Sequence, residues 1–260
     1  MKKEVDINKV VRQHAEMEDF FTGGFTIKTH KAEQVQPQAG QTTEYSTVCT
    51  KQPKVDELTA DIIAELEKIA EETRQCRKCG LGSLRLNAVP GEGRPNAQIV
   101  FVGEGPGADE DAQGRPFVGR AGQLLDKIIA AMRLARSDVF ICNVLKCRPP
   151  DNRDPKPEEV ISCLPYLQRQ LELINPKIIV ALGAHAAKAL LNTNKPIGQL
   201  RGLFHEYYAG FGRPPIKLMA TFHPAYLLRN YSPENRQKVW EDMKQVLAEL
   251  GLPVPQRDGK

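Results

Sequence analysis

Four of the six cysteines are spaced so that they could hold a metal ion or a cluster. Cys76 and Cys79 form a Cys-x2-Cys pair, and Cys147 and Cys163 follow far downstream with fifteen residues between them. Four thiolates close a tetrahedral zinc site or hold an iron–sulfur cluster, and the spacing alone does not choose between the two. Cys142 lies inside an apolar run and reads as a small buried hydrophobe, whereas Cys49 reads as a bystander in a polar stretch. In a reducing compartment such a grouping favours metal or redox chemistry over disulfides.

A second group of residues gathers where the apolar run 99–102 breaks into Gly103-Glu104-Gly105-Pro106-Gly107, followed by the carboxylates Asp109, Glu110 and Asp111. Glycines at the end of a strand let backbone amides come close to a ligand, and in α/β sheets that is where ligands bind. Phe117 stands in Gly-Arg-Pro-Phe-Val-Gly-Arg just beyond the acidic run, Asn143 near the end of a second apolar run, and His223 immediately before Pro224. An Asn buried in a strand carries a desolvation cost that calls for a reason. His14, His30, His185 and His205 have only structural readings. The Gly103-x-Gly105-x-Gly107 pattern mimics part of a dinucleotide fingerprint, but Pro106 and the acidic run spoil the phosphate-binding helix start.

The elements that must position these residues alternate in type. Strands are expected over 98–102, 139–145, 177–182, 203–209 and 216–221, and helices over 55–74, 119–133, 157–174, 184–192 and 233–250. Ser232 as cap with Pro233 at the first helical position is a proper start for the last helix. The expected fold class is α/β, a three-layer sandwich with a mostly parallel four-stranded central sheet flanked by helices. The organisation expected is a flexible extension over 1–54 with a short helix at 4–21, a domain over 55–251, and a tail over 252–260.

The chain of 260 residues has a net charge of +4, yet its first 70 residues carry nine Lys and Arg against twelve Asp and Glu, so the basic charge lies in the body. A modestly basic body is compatible with a polyanionic partner. No apolar run is as long as a membrane span and the first residues lack a signal-peptide core, so no membrane association and a cytoplasmic location are expected.

Taken together, Cys76-x2-Cys79, Gly103-Glu-Gly-Pro-Gly, Gly114-Arg-Pro-Phe-Val-Gly-Arg-Ala-Gly-Gln123, Asn143, Cys147-Arg-Pro-Pro, Cys163 and His223-Pro-Ala-Tyr-Leu-Leu-Arg resemble a family 4 uracil-DNA glycosylase, the iron–sulfur type, over roughly residues 60–250. The resemblance implies a [4Fe-4S] cluster on Cys76, Cys79, Cys147 and Cys163, with zinc as the alternative occupant. It implies hydrolysis of the N-glycosidic bond of uracil in single- or double-stranded DNA, by a monomer.

The resemblance also assigns roles. Phe117 stacks on a flipped base, with Gly105, Pro106 and Gly107 in the substrate loop. Asn143 reads the uracil edge with one donor and one acceptor, and His223 stabilises the departing uracil anion. Glu104 serves the attacking water, with Asp109, Glu110 and Asp111 as further candidates. Leu227 is the apolar wedge, and Arg120, Arg148, Arg201 and Arg229 are candidate phosphate contacts. Ala225 departs from the Ser that often follows His-Pro. The chain lacks the Arg-Arg-Ile-His insert of relatives that bond covalently to DNA, so turnover is expected.

The rival reading, a non-catalytic zinc or iron–sulfur protein that binds nucleic acid or transfers electrons, leaves Glu104, Phe117, Asn143 and His223 without work. The stretch 14–21 resembles clamp-docking peptides without their opening Gln, so the extension is a candidate segment for a replication or repair partner; packing on the body is the plainer expectation.

Overall fold

Residues Ile99–Gly103 are all buried, and such a continuous apolar run is what a strand covered on both faces requires. This segment is β2 of the computed structural model, which describes residues 57–210 and 212–255 together with Glu16, Phe20 and Phe21. The other strands are β1 (Glu92–Gly93), β3 (Phe140–Asn143), β4 (Ile178–Leu182), β5 (Phe204–Tyr207) and β6 (Ile216–Thr221). They form a six-stranded sheet in the order β1-β3-β2-β4-β6-β5. The inner four are parallel, and β1 and β5 pair antiparallel at the two edges.

The expected four-stranded sheet is therefore the parallel centre of a wider one. Two-residue β1 has no apolar run to reveal it, which is why it was missed; β5 was expected as a strand but not as an edge added to those four. The run 139–145 pairs as a strand over Phe140–Asn143. Val144 and Leu145 leave the ladder, but their N–H groups still bond Gly103 O and Glu104 O, each at 2.9 Å.

Period-two alternation sorts the strand residues onto two faces. Ile99, Phe101, Ile178 and Val180 face a core shared with α4 (Arg120–Ala131) and α9 (Pro233–Glu249). Val100, Val102, Ile179 and Ala181 face the other core, closed by α5 (Pro157–Ile174) and α6 (Ala184–Leu191). The long helix α1 (Glu57–Gln75) lies outside α5, where Arg169 Nη2 donates to Glu72 Oε1 at 2.9 Å. Short helices α2 (Leu81–Leu84), α3 (Ala108–Gln113), α7 (Ile197–Leu200) and α8 (Pro224–Arg229) fill the connections. Ser232 Oγ accepts from Asn235 N at 3.3 Å as the cap of α9.

Most of residues 1–56, including Cys49, His14, His30 and the expected linker, lies outside the described residues, as do 256–260. Phe20 and Phe21 are buried in the α4/α9 core, and Arg236 Nη1 of α9 donates to Glu16 O at 2.7 Å. No described helix is long and apolar enough to cross a membrane.

Candidate active site

The four parallel strands end at one edge, and each delivers a residue there. Gly103 and Glu104 leave β2, Asn143 ends β3, Gly183 and His185 follow β4, and His223 follows β6. The register makes this inevitable, since Gly103 pairs with Asn143 and Leu182 with Thr221. Between these ends lies a cavity of about 500 Å³ lined by Glu104, Phe117, Asn143, His185, His223 and Arg229, with Gly105, Pro106 and Gly107 on its wall.

Phe117 is held in a left-handed conformation (φ 51°), unusual for an aromatic residue and a form of strain that needs neighbours to impose it. Those neighbours are on hand. Arg136 donates to Pro116 O at 2.5 Å and to Phe117 O at 3.3 Å. Gly122 in α4 gives the Phe117 carbonyl room: a Cβ there would lie 1.9 Å from its oxygen. The Glu110 carboxylate accepts from Val118 N and Gly119 N at 2.9 Å each and from Gly107 N at 3.0 Å, tying the glycine loop to the Phe117 loop. The Phe117 ring then lies 5.6 Å from the His223 ring, tilted by 31°. Gly103 is the floor beneath them, because a Cβ there would come within 2.3 Å of Asn143 Oδ1 and 2.6 Å of the Phe117 ring.

Asn143 is 1 % exposed, and its Oδ1 has no hydrogen-bond partner among the described residues. A buried amide oxygen without a donor costs on the order of 1–3 kcal/mol, and a ligand with an N–H would recover it. Its backbone carbonyl is braced by the buried Lys146, whose Nζ donates to Asn143 O at 2.9 Å and to Gln170 Oε1 at 2.7 Å.

His223 caps α8: its Nδ1 accepts from Ala225 N at 3.1 Å. That bond places the ring proton on Nε2. Burial, helped by the nearby Arg229 cation, lowers its pKa to about 4, so at neutral pH the ring is an uncharged N–H donor. Capping α8 through Nδ1 and donating to a ligand through Nε2 are compatible in one ring.

Burial pushes the Glu104 carboxyl above its ordinary range; His185 opposes that, Asp154 reinforces it, and Arg229 opposes it more weakly. His185 Nε2 lies 3.6 Å from Asp154 Oδ1, and one ligand atom each from Glu104, Asp154 and His185 all lie within 4.8 Å of one another. Sequence reading gave His185 a structural role and passed over Asp154. The available signal was position: His185 follows Gly183 at the exit of β4, as Glu104 and His223 follow theirs.

Several expected site residues have other work. Glu110 is the loop clamp, and Asp111 Oδ1 accepts from Leu86 N and Asn87 N at 3.0 and 3.3 Å, so neither carboxylate is free to serve a water. Arg201 is bound to the wholly buried Asp242, with Nη2 to Oδ1 at 2.6 Å, and Arg148 Nε donates to Asn152 Oδ1 at 2.9 Å. Leu227, expected as the apolar wedge, is 1 % exposed in the α4/α9 core, because the turn of α8 points it inward. Its neighbour Leu228 is only half-buried. Arg120 and Arg229 are exposed, as a phosphate contact requires.

Cys76, Cys79, Cys147 and Cys163 line one small cavity between the end of α1, the loop after β3 and α5, while Cys142 is buried in the α5/α6 core as expected. Arg85 Nη1 donates to Cys147 Sγ at 2.8 Å, Lys146 N to Cys163 Sγ at 3.2 Å, and Lys78 N to Cys76 Sγ at 3.5 Å. Burial raises the Cys147 thiol and pushes Cys163 up to about 11. Buried sulfurs with donors aimed at them suit thiolates whose charge a metal group balances.

Residues 90–244 match the model of the uracil DNA glycosylase superfamily. Two similar proteins are the type-4 uracil-DNA glycosylases of Sulfurisphaera tokodaii, 48 % identical over 70 % of this chain and 83 % of that protein, and of Thermotoga maritima, 48 % identical over 70 % and 92 %. A type-5 uracil-DNA glycosylase from Pyrobaculum aerophilum is 31 % identical over 63 % of this chain and 76 % of that protein.

Proposed function

The chain belongs to the uracil DNA glycosylase superfamily, among its type-4 members, and on that footing we propose that it hydrolyses the N-glycosidic bond of uracil in DNA, leaving an abasic site for base-excision repair. The observation that carries the site assignment is the buried, partnerless Asn143 Oδ1 within a cavity shared with Phe117 and His223. Uracil presents an N3–H beside an O4 acceptor, which an Asn amide meets with its oxygen and its NH₂. Cytosine offers the reverse pattern and is refused. Phe117 stacks on the flipped base, and Gly105, Pro106 and Gly107 form the wall along which it enters.

Glu104 takes a proton from water as the water oxygen bonds C1′. The C1′–N1 bond breaks and its electron pair leaves with uracil. The Nε2–H of neutral His223 then meets the negative charge that develops on the base, where a preorganised donor acts most strongly. Arg120 and Arg229 are exposed cations for phosphates.

Cys76, Cys79, Cys147 and Cys163 would hold a [4Fe-4S] cluster, as in the family the chain resembles, with zinc as the alternative, and the donors from Arg85, Lys146 and Lys78 suit thiolate ligands. Such a group would tie α1, the loop after β3 and α5 together away from the excision site. The protein acts as a monomer. Glu16, Phe20 and Phe21 rest on the body, and a replication or repair partner is the alternative role of the extension.

The test uses labelled single- and double-stranded DNA bearing one uracil, with alkali to reveal abasic sites. Wild-type protein is expected to cleave both. No cleavage by protein whose iron and sulfide content shows an intact cluster would overturn the reading.

A further inference from the structure

Glu104 is the group asked to accept a proton, yet its place in the cavity works against it. A carboxylate taken out of water prefers to be neutral, and a neutral Glu104 cannot accept a proton. Something must oppose that cost.

The groups around it come from every element that meets there. Glu110 on α3 is occupied by three backbone N–H groups, and Arg153, before α5, is bound to Glu159 through Nη1 at 2.9 Å and Nη2 at 2.6 Å. His223 is neutral, with Nδ1 engaged in capping α8. Asp154, beside Arg153, adds a like charge. Arg229 stands exposed in the last turn of α8. His185 remains. It sits in the first turn of α6, so its backbone is fixed by helix and sheet, and it falls within the same compact triangle as Glu104 and Asp154.

We infer that His185 is a positioning residue for Glu104: braced by Asp154, its imidazole faces the Glu104 carboxylate in the cavity and keeps it ionised and aimed at the attacking water. This rests on the uracil-excision reading. His185 touches neither base nor water; it acts through Glu104. Asp154, 83 % exposed, stands on the solvent side of His185, its Oδ1 3.6 Å from the ring Nε2.

The sign of the pH effect follows. A cation beside a carboxylate lowers its pKa, so removing His185 lets burial act unopposed and moves the acid limb of excision to higher pH. Because His185 is 40 % exposed, solvent screens the interaction, and a shift of about half a pH unit is expected, which lowers the single-turnover rate by about threefold on the acid side of the limb and leaves the plateau unchanged.

The experiment measures single-turnover uracil release against pH for wild type, His185→Ala, His185→Lys, Glu104→Gln and the double variant His185→Ala/Glu104→Gln, with DNA affinity and melting temperature for each. The expected result is a raised acid limb in His185→Ala with unchanged DNA affinity and melting temperature, and a limb restored in His185→Lys. In the Glu104→Gln background, where there is no carboxylate to hold, His185→Ala should cost nothing further. Equal losses in both backgrounds, or an unmoved acid limb in His185→Ala, overturn the inference while leaving the glycosylase reading intact. Failure of wild type to release uracil overturns both.

Discussion

The cavity at the strand ends and the cavity among the cysteines sit close together and are built on opposite terms. At the strand ends the side chains are held from behind while their working atoms are left free. Asn143 is gripped through its backbone by Lys146 but its Oδ1 has no partner, and Phe117 is forced into a left-handed conformation by Arg136 and the Glu110 clamp. Among the cysteines the working atoms already have donors, from Arg85, Lys146 and Lys78, and burial raises the Cys147 and Cys163 thiols. The first site tolerates an unfilled state because a passing ligand completes it. The second joins segments more than eighty residues apart in sequence, and on the proposed reading a resident metal group would complete it. Local instability at the one is function; at the other it would be unfolding.

The sharpest way to break this contrast is at Asn143. Asn143→Ala is expected to lower the rate of uracil excision by about a thousandfold, the scale of losing a preorganised polar contact in a closed site. Its urea midpoint should stay level or rise, since the substitution removes a buried oxygen that has no donor. A large fall in stability would show that Asn143 is an ordinary part of the core.

Cys163→Ala should do the reverse. Iron content falls and stability drops by on the order of 4 kcal/mol, as expected for losing a metal group that joins distant segments. Urea titration alongside iron analysis reads both, and retention of full stability without iron would make the cysteine cavity dispensable.

Lys146 joins the two regions, with Nζ on the Asn143 carbonyl and its backbone N–H on Cys163 Sγ. Lys146→Met leaves Asn143 O and Gln170 Oε1 without their donor and should lower stability by about 2 kcal/mol. Excision should fall by roughly fivefold as the end of β3 loosens, with iron content unchanged. A variant with normal excision would show that the bridge between the sites is structural alone. The smallest effect is the half-unit shift of the acid limb expected for His185→Ala.

How far the site could be read in advance depended on how local each signal was. The glycine loop, Phe117, Asn143, His223 and the four cysteines announced themselves because their types and flanking residues are unusual for the elements that carry them. Glu110 and Asp111 misled, because a run of carboxylates looks alike whether it faces solvent or folds back onto backbone N–H groups, and here both fold back. Leu227 misled for a related reason: nothing in the apolar run of α8 tells which of its residues turns into the α4/α9 core, and here Leu227 does. His185 gave no sign in its residue type, only in its place at the exit of β4, and the pairing of β4 with β2 is what brings it beside Glu104.

The order of strands and long helices was settled by the sequence alone, because hydrophobic period and caps act within a few residues. The parallel centre of the sheet fits that alternation, since parallel neighbours need a crossover such as a helix, but β5 also follows helices and runs antiparallel at the edge, a direction that only packing decided. Only the tertiary structure decided which residues share a cavity. The level ends of four parallel strands gather Glu104, Asn143, His185 and His223 from 120 residues of chain, and no local rule of spacing links positions so far apart.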